Sequence, residues 1–287
     1  MLKKYTFKSD CAGYNILFLG AVHGNEPAGP KAMFKVIEKF ACGALSPFKG
    51  SVSFIPVCNP LAFERGVRQI DENLNRVLRR YEHPQTYEQN IANELVGYIA
   101  EADIIIDLHS TSCTAAEPFI FSDYPDTLAD KLAAAQNFKY IVEGWPQIYA
   151  GSATIQDFST GFCAHEYGKT CLTVECGPHF AETSVQNAYY VIMNTLLALG
   201  ILEGYPSVPV KQEYIVMDTI IFKEKEGSLS RDFKHLDKVS RGEILAVYQD
   251  GEAVVCPADS YVLLPKLQAP ISSEWFYLGH LKDKAAD

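Results

Sequence analysis

Apolar residues in the first two thirds of the chain switch between two spacings. The runs Ile16–Gly20, Ser51–Val57, Ile104–Leu108, Phe119–Phe121 and Thr170–Val174 are continuous or β-branched, the pattern of strands covered on both faces. Between them, Met33, Val36, Ile37 and Phe40 recur at helical spacing within Pro27–Phe40, and Ile91, Leu95, Val96 and Ile99 do so within Gln85–Ala100. Helices are also expected over Thr127–Ala135, Ala153–Tyr167 and Ser184–Leu199. Strands alternating with helices predict an α/β fold, an α/β/α sandwich around a mixed, mainly parallel sheet. The pattern changes near Tyr205-Pro206-Ser207-Val208-Pro209. Beyond it, Tyr214–Val216, Thr219–Phe222, Glu243–Tyr248 and Tyr261–Leu264 read as strands, and Asp250-Gly251 as a hairpin turn. Two units are therefore expected: residues 1–204, which would carry the chemistry, and a small β-rich unit, 205–287.

Composition narrows the function classes. With 287 residues, 48% of them hydrophobic, there is ample material for a core. A net charge of -10 argues against a nucleic-acid partner, because a phosphate-binding surface needs a positive excess. It does not argue against a small anionic substrate, which a few local arginines can hold. The start Met1-Leu2-Lys3-Lys4 leads directly into polar residues, and no apolar run reaches membrane-spanning length. None of the eight cysteines forms a CxxC pair, and Cys58, Cys171 and Cys176 lie inside apolar runs. A reduced, cytoplasmic protein without a membrane partner is expected; a homo-oligomer is left open.

Candidate chemistry concentrates at strand ends. The strand from Ile16 breaks into Gly20-Ala21-Val22-His23-Gly24-Asn25-Glu26-Pro27, and a His and a Glu three residues apart in such a turn can share one metal ion. Alone, that spacing more often marks an ordinary polar turn. A second histidine, His109 in Asp107-Leu108-His109-Ser110, ends another buried strand and completes the two-His, one-carboxylate set of catalytic zinc. Strand ends facing one crevice are where α/β sheets bind ligands. Glu175, in Val174-Glu175-Cys176-Gly177, follows a third buried strand; a carboxylate there is costly unless paired or functional, which makes it the candidate general base. Arg68 and Arg76, with Asn75 between them, offer planar guanidinium forks for a carboxylate, with a solvated basic loop as the plain alternative.

These segments together resemble the succinylglutamate desuccinylase and aspartoacylase family, which has the zinc carboxypeptidase fold. The matching stretches are His23-Gly24-Asn25-Glu26, Asn59-Pro60, Arg68 with Leu74-Asn75-Arg76, Asp107-Leu108-His109 and Val174-Glu175-Cys176-Gly177. The resemblance implies one Zn2+ held by His23, Glu26 and His109, with Glu175 as base and then acid, and Arg68 at the oxyanion. Asn75 and Arg76 would clamp the substrate carboxylate, and Tyr261 would reach the pocket from a tail that closes the crevice. Where aspartoacylases place an arginine for a second substrate carboxylate, this chain has His165, and Asn73 stands where many relatives have an acidic residue. The expected activity is a zinc amidohydrolase releasing the acyl group from a small anionic N-acyl amino acid. The same motifs would serve a zinc carboxypeptidase acting on short peptides, or a non-catalytic zinc-binding module on the same fold.

Overall fold

The structure, a computed structural model, describes residues 1–113, 116–150, 158–206 and 210–282. In chain order the elements begin β1 (Tyr5–Lys8), β2 (Asn15–Gly20), α1 (Ala28–Ala41), β3 (Ser51–Ile55), α2 (Pro60–Arg65), a 3-10 turn (Leu74–Arg76) and α3 (Tyr87–Glu101). They continue with β4 (Ile104–Thr111), β5 (Phe119–Phe121), α4 (Thr127–Ala135), β6 (Tyr140–Glu143), α5 (Trp145–Ala150), α6 (Thr160–Glu166), β7 (Thr170–Pro178) and α7 (Glu182–Ala198). The tail adds β8 (Glu213–Phe222), β9 (Gly227–Leu229), β10 (Asp237–Val239), β11 (Ile244–Tyr248), β12 (Ala253–Val255), β13 (Ser260–Leu263) and β14 (Glu274–Leu281).

Eleven strands form one mixed sheet in the order β1-β3-β2-β4-β7-β5-β6-β8-β14-β13-β10. Pairing is parallel across β3, β2, β4 and β7, and antiparallel between β7 and β5. Because side chains alternate faces along a strand, each central strand feeds two cores. Ile16, Phe18, Ile104, Ile106, Leu172 and Val174 pack with α1, α4 and α7, while Leu17, Leu19 and Ile105 pack with α3 and α6. The result is the expected α/β/α sandwich with a β-rich C-terminal region. The same alternation puts Asp107, His109, Thr173 and Glu175 on the α3/α6 side of the sheet, opposite the large α1/α7 core.

The tail's strands divide between the main sheet and a small sheet of their own. β8 pairs in parallel with β6, so the main sheet runs across residue 205, and β14, β13 and β10 extend it. A separate three-stranded sheet, β12-β11-β9, covers a further hydrophobic cluster around Phe233, Leu245 and Trp275. The change in sequence pattern thus marks a change of element type, while the main sheet continues across it. The helix expected over Ala153–Tyr167 is observed from Thr160, where the Ser159 side chain accepts from the Phe162 amide as its cap; residues 151–157 of that span lie outside the described residues.

Candidate active site

The break after β2 builds the first half of the site. Ala21 turns the chain with a φ of 45°, a left-handed conformation that costs a non-glycine residue about 1 kcal/mol or more. Gly24 then passes so close to α2 that a Cβ there would stand 2.2 Å from the Ala62 carbonyl carbon. That contact explains why the loop has glycine between its two candidate ligands. Glu26 lies between two imidazoles: Oε1 is 2.8 Å from His23 Nδ1 and Oε2 is 3.0 Å from His109 Nδ1. The Ser110 amide donates to Oε2 at 3.0 Å and Arg68 Nη1 donates to Oε1 at 3.3 Å. His23, Glu26 and His109 are all buried, with ligand atoms within 4.8 Å of one another.

Burial and the charges they place on one another set their electrostatics. Burial, with the Arg68 guanidinium nearby, lowers His23 to about 4. Burial alone would raise Glu26, but the charges and hydrogen bonds of His23 and His109 hold it well below the usual carboxylate range. Burial would lower His109, yet the Asp107 and Glu26 carboxylates push it well up. His109 Nε2 and Asp107 Oδ2 are 2.8 Å apart, close enough for an ion pair but not aligned for a hydrogen bond. Two buried carboxylates against two histidines is a costly arrangement without a compensating cation. His23 Nε2 lies 3.0 Å from Asn73 Oδ1, and an imidazole donating Nε2–H there presents its Nδ1 lone pair to the centre, the form in which histidine ligates metal. Two imidazole nitrogens and a carboxylate oxygen fit zinc.

A narrow cavity of about 90 Å3 opens beside this cluster, lined by His23, His109, Arg68, Asn75, Arg76 and Glu175 among others. Glu175 stands opposite His109 in the β4–β7 register. Burial, then the Glu26 charge, raises its carboxyl to about 7, and its Oε2 has no hydrogen-bond partner among the described residues. Asn73 Oδ1 also accepts from the Asn75 amide at 3.0 Å, so one side chain ties the metal-type cluster to the 3-10 turn. Asn75 Oδ1 accepts from the Thr160 amide at 2.8 Å, fixing the turn against α6. Arg76 lies over the Trp145 and Tyr149 rings at 5.0 and 5.3 Å, with Nη2 3.6 Å from Glu274 Oε1.

The tail supplies part of the wall through Leu264, Lys266, Glu274 and Tyr277. The attraction of Lys266 and Arg76 outweighs burial at Glu274 and takes its carboxyl down to about 2. Tyr277 and Tyr149 share a hydroxyl–hydroxyl hydrogen bond of 2.8 Å. Two residues singled out from sequence lie elsewhere. His165 is exposed on α6, stacked on Tyr124 at 4.2 Å, and does not line the cavity. Tyr261 is buried on the cavity's side of the sheet, yet the residue that reaches the cavity is Tyr277, opposite Leu263 in the register. Asp123, Trp145, Lys266, Glu274 and Tyr277 also line the cavity, and no motif in the sequence marks them. The available signal was the apolar run Trp275–Leu278, which marks a strand but not its partner.

Comparisons with known proteins bear on the family and the fold. The sequence model of the succinylglutamate desuccinylase/aspartoacylase catalytic domain matches residues 12–198. A probable aspartoacylase from Prochlorococcus marinus strain MED4 is 30% identical over 197 residues, 63% of this chain and 60% of the relative. Another, from strain MIT 9515, is 29% identical over 194 residues, covering 63% of this chain and 60% of the relative. The matched region therefore spans 60% of the length of these curated relatives. Among solved structures, a succinylglutamate desuccinylase/aspartoacylase from Rhodobacter sphaeroides superposes with a TM-score of 0.79 at 18% identity, over 98% of this chain and 90% of that one. The ectoine utilization protein EutE from Ruegeria pomeroyi gives 0.77 at 23%, over 97% and 89%. Both structures share the fold across the tail as well as the first two hundred residues. With the family's catalytic-domain model matched over most of the chain, the protein belongs to the succinylglutamate desuccinylase/aspartoacylase family.

Proposed function

We propose that this protein is a zinc-dependent amidohydrolase that removes the acyl group from an N-acyl amino acid, leaving a carboxylic acid and a free amine. The observation that carries the reading is a buried His23–Glu26–His109 cluster sharing one cavity with Glu175 and with the Asn75–Arg76 turn. His23, Glu26 and His109 would hold the metal. Zinc, when bound, supplies Lewis acidity toward a water and toward the amide carbonyl.

The chain's own residues do the rest. Glu175, with an oxygen unpaired by other described groups, takes a proton from the attacking water on its carboxylate and delivers it to the leaving nitrogen. Arg68, half exposed beside Glu26, donates its guanidinium N–H to the oxyanion that develops on the amide oxygen. Arg76 and Asn75 hold the substrate's carboxylate, which orients the amide before any bond changes. Trp145 and Tyr149 stack on Arg76 and keep that fork in place. Tail residues wall the cavity, which supports a small acyl amino acid over a peptide. All eight cysteines are free and no described helix is long and apolar enough to cross a membrane, in keeping with a reduced, cytoplasmic setting.

Amine release from acetyl, formyl and succinyl amino acids and a few dipeptides, by zinc-loaded and chelated protein, tests this reading. Chelator-sensitive turnover of acyl amino acids is expected. Cleavage of dipeptides alone would make the protein a carboxypeptidase, and silence throughout would leave the non-catalytic zinc module.

A further inference from the structure

Among the tail residues on the cavity wall, Leu264 is the aliphatic one. It follows β13 directly with a φ of 47°, in the left-handed region, and it precedes Pro265. A residue with a Cβ enters that region at a cost, and a residue before proline ordinarily keeps to extended backbone. An outlier of this kind persists only where the surrounding groups fix it.

The group that fixes Leu264 is His235. The Leu264 amide donates to His235 Nδ1 at 3.1 Å, and the Leu236 amide donates to the Val262 carbonyl at 2.7 Å, so this step of the chain is tied to the end of β13 twice. The His235 ring also stacks on Phe119, with centroids 4.3 Å apart and planes 25° from parallel. Phe119 is fully buried and stands opposite Glu175 in the β5–β7 register. One ring therefore spans from β5, the neighbour of the strand carrying Glu175, to the tail wall. His235 is itself buried, and Nε2, which carries the hydrogen when Nδ1 accepts, has no partner among the described residues. A buried N–H left unpaired costs free energy that an apolar ring would avoid. What the imidazole adds is the acceptor for the Leu264 amide. Burial takes the ring down to about 3, so it stays neutral and the Nδ1 lone pair remains available near neutral pH.

We propose that His235 is a positioning residue for the substrate: acting through Leu264, it holds the apolar part of the tail wall at a set distance from the floor that carries Glu175. The proposal rests on the deacylase reading and adds a residue outside the cavity that governs how tightly substrate is held. Leu264 would bear on bound substrate in the ground state and the transition state alike, so loosening it raises KM and leaves kcat nearly as it is.

The test measures KM and kcat separately in zinc-loaded wild type, H235F, H235N, L264A and the double variant H235F/L264A. The substrates are acetyl, formyl and succinyl amino acids, with a few dipeptides alongside. H235F keeps a ring against Phe119 and removes the acceptor, whereas H235N supplies an acceptor again. H235F should raise KM about 10-fold with kcat within about threefold of wild type, and H235N should recover most of that loss. L264A should raise KM at least as far, and the double variant no further than L264A alone, because His235 acts through Leu264. KM does not depend on how much of a preparation is folded, so a destabilised variant still reports. A wild-type KM in H235F, an H235N as impaired as H235F, or a double variant in which the two effects multiply overturns the role of His235 and leaves the deacylase reading standing. Cleavage of dipeptides alone overturns the deacylase reading, and the same KM ratios, read on the dipeptide, then decide for or against His235. No turnover of any substrate overturns both.

Discussion

A carboxylate outside the cavity holds the cavity's loop in shape. Glu88, fully buried at the start of α3, accepts from Asn59 Nδ2 at 3.1 Å and from the Ile70, Asp71 and Glu72 amides at 2.7, 3.0 and 3.2 Å. It thereby pins the segment between Arg68 and Arg76. Glu88→Ala would leave three amides without acceptors, each costing about 1–3 kcal/mol if it stays buried. We expect a loss on the order of 3 kcal/mol in urea unfolding, and a KM that rises more than kcat falls, because the clamp loosens while Glu175 stays in place. Stability and KM both equal to wild type would show that the loop is held by other contacts. Nothing local announces this residue: a Glu in a helix's first turn reads as favourable charge at the dipole. His23, Glu26 and His109 were legible for the opposite reason. Their spacing and their position at the ends of apolar strands are local facts, whereas the fold of residues 70–72 over Glu88 is not.

At the scale of elements, β2, β4, β7, α1 and α3 were readable because each is a long apolar or periodic run buried in one or two cores. β6 is four residues and α5 is six, too short to show a period. β14 is buried on both faces over residues 275–279, so it lacks the alternation that marks a half-exposed strand. Which tail tyrosine meets the cavity depends on the β13–β14 register, set by pairing across the chain rather than by local sequence. The segment between β9 and β13 carries a pH-dependent element. His235 stacks on Phe119 at 4.3 Å, accepts from the Leu264 amide at 3.1 Å and is pushed down to about 3 by burial. Between that value and an unfolded value near 6.5, the unfolded chain binds a proton that the native chain refuses. Stability should therefore fall as pH drops through this window, by up to about 1.4 kcal/mol per pH unit from this one group. His235→Asn, which keeps an acceptor for Leu264, should flatten the fall in urea midpoint between about pH 6 and 4. An identical slope in the variant would remove His235 from the account.

For the molecule as a whole, one sheet joins the first two hundred residues to the tail. β7 carries Glu175, β5 leads to Asp123, and β14, two strands beyond β6, carries Glu274 and Tyr277. The cavity is therefore walled from both halves, and substrate selection can be set by residues far apart in sequence. The central claim is that the His23–Glu26–His109 cluster binds a metal and that Glu175 turns it to deacylation. The most direct check is zinc content and amine release measured on the same preparations of wild type and Glu175→Gln. We expect about one zinc per chain in both proteins, with turnover in the variant reduced by about 10²–10⁴-fold. Undiminished turnover in the variant, or a wild type that deacylates without metal, would contradict the account.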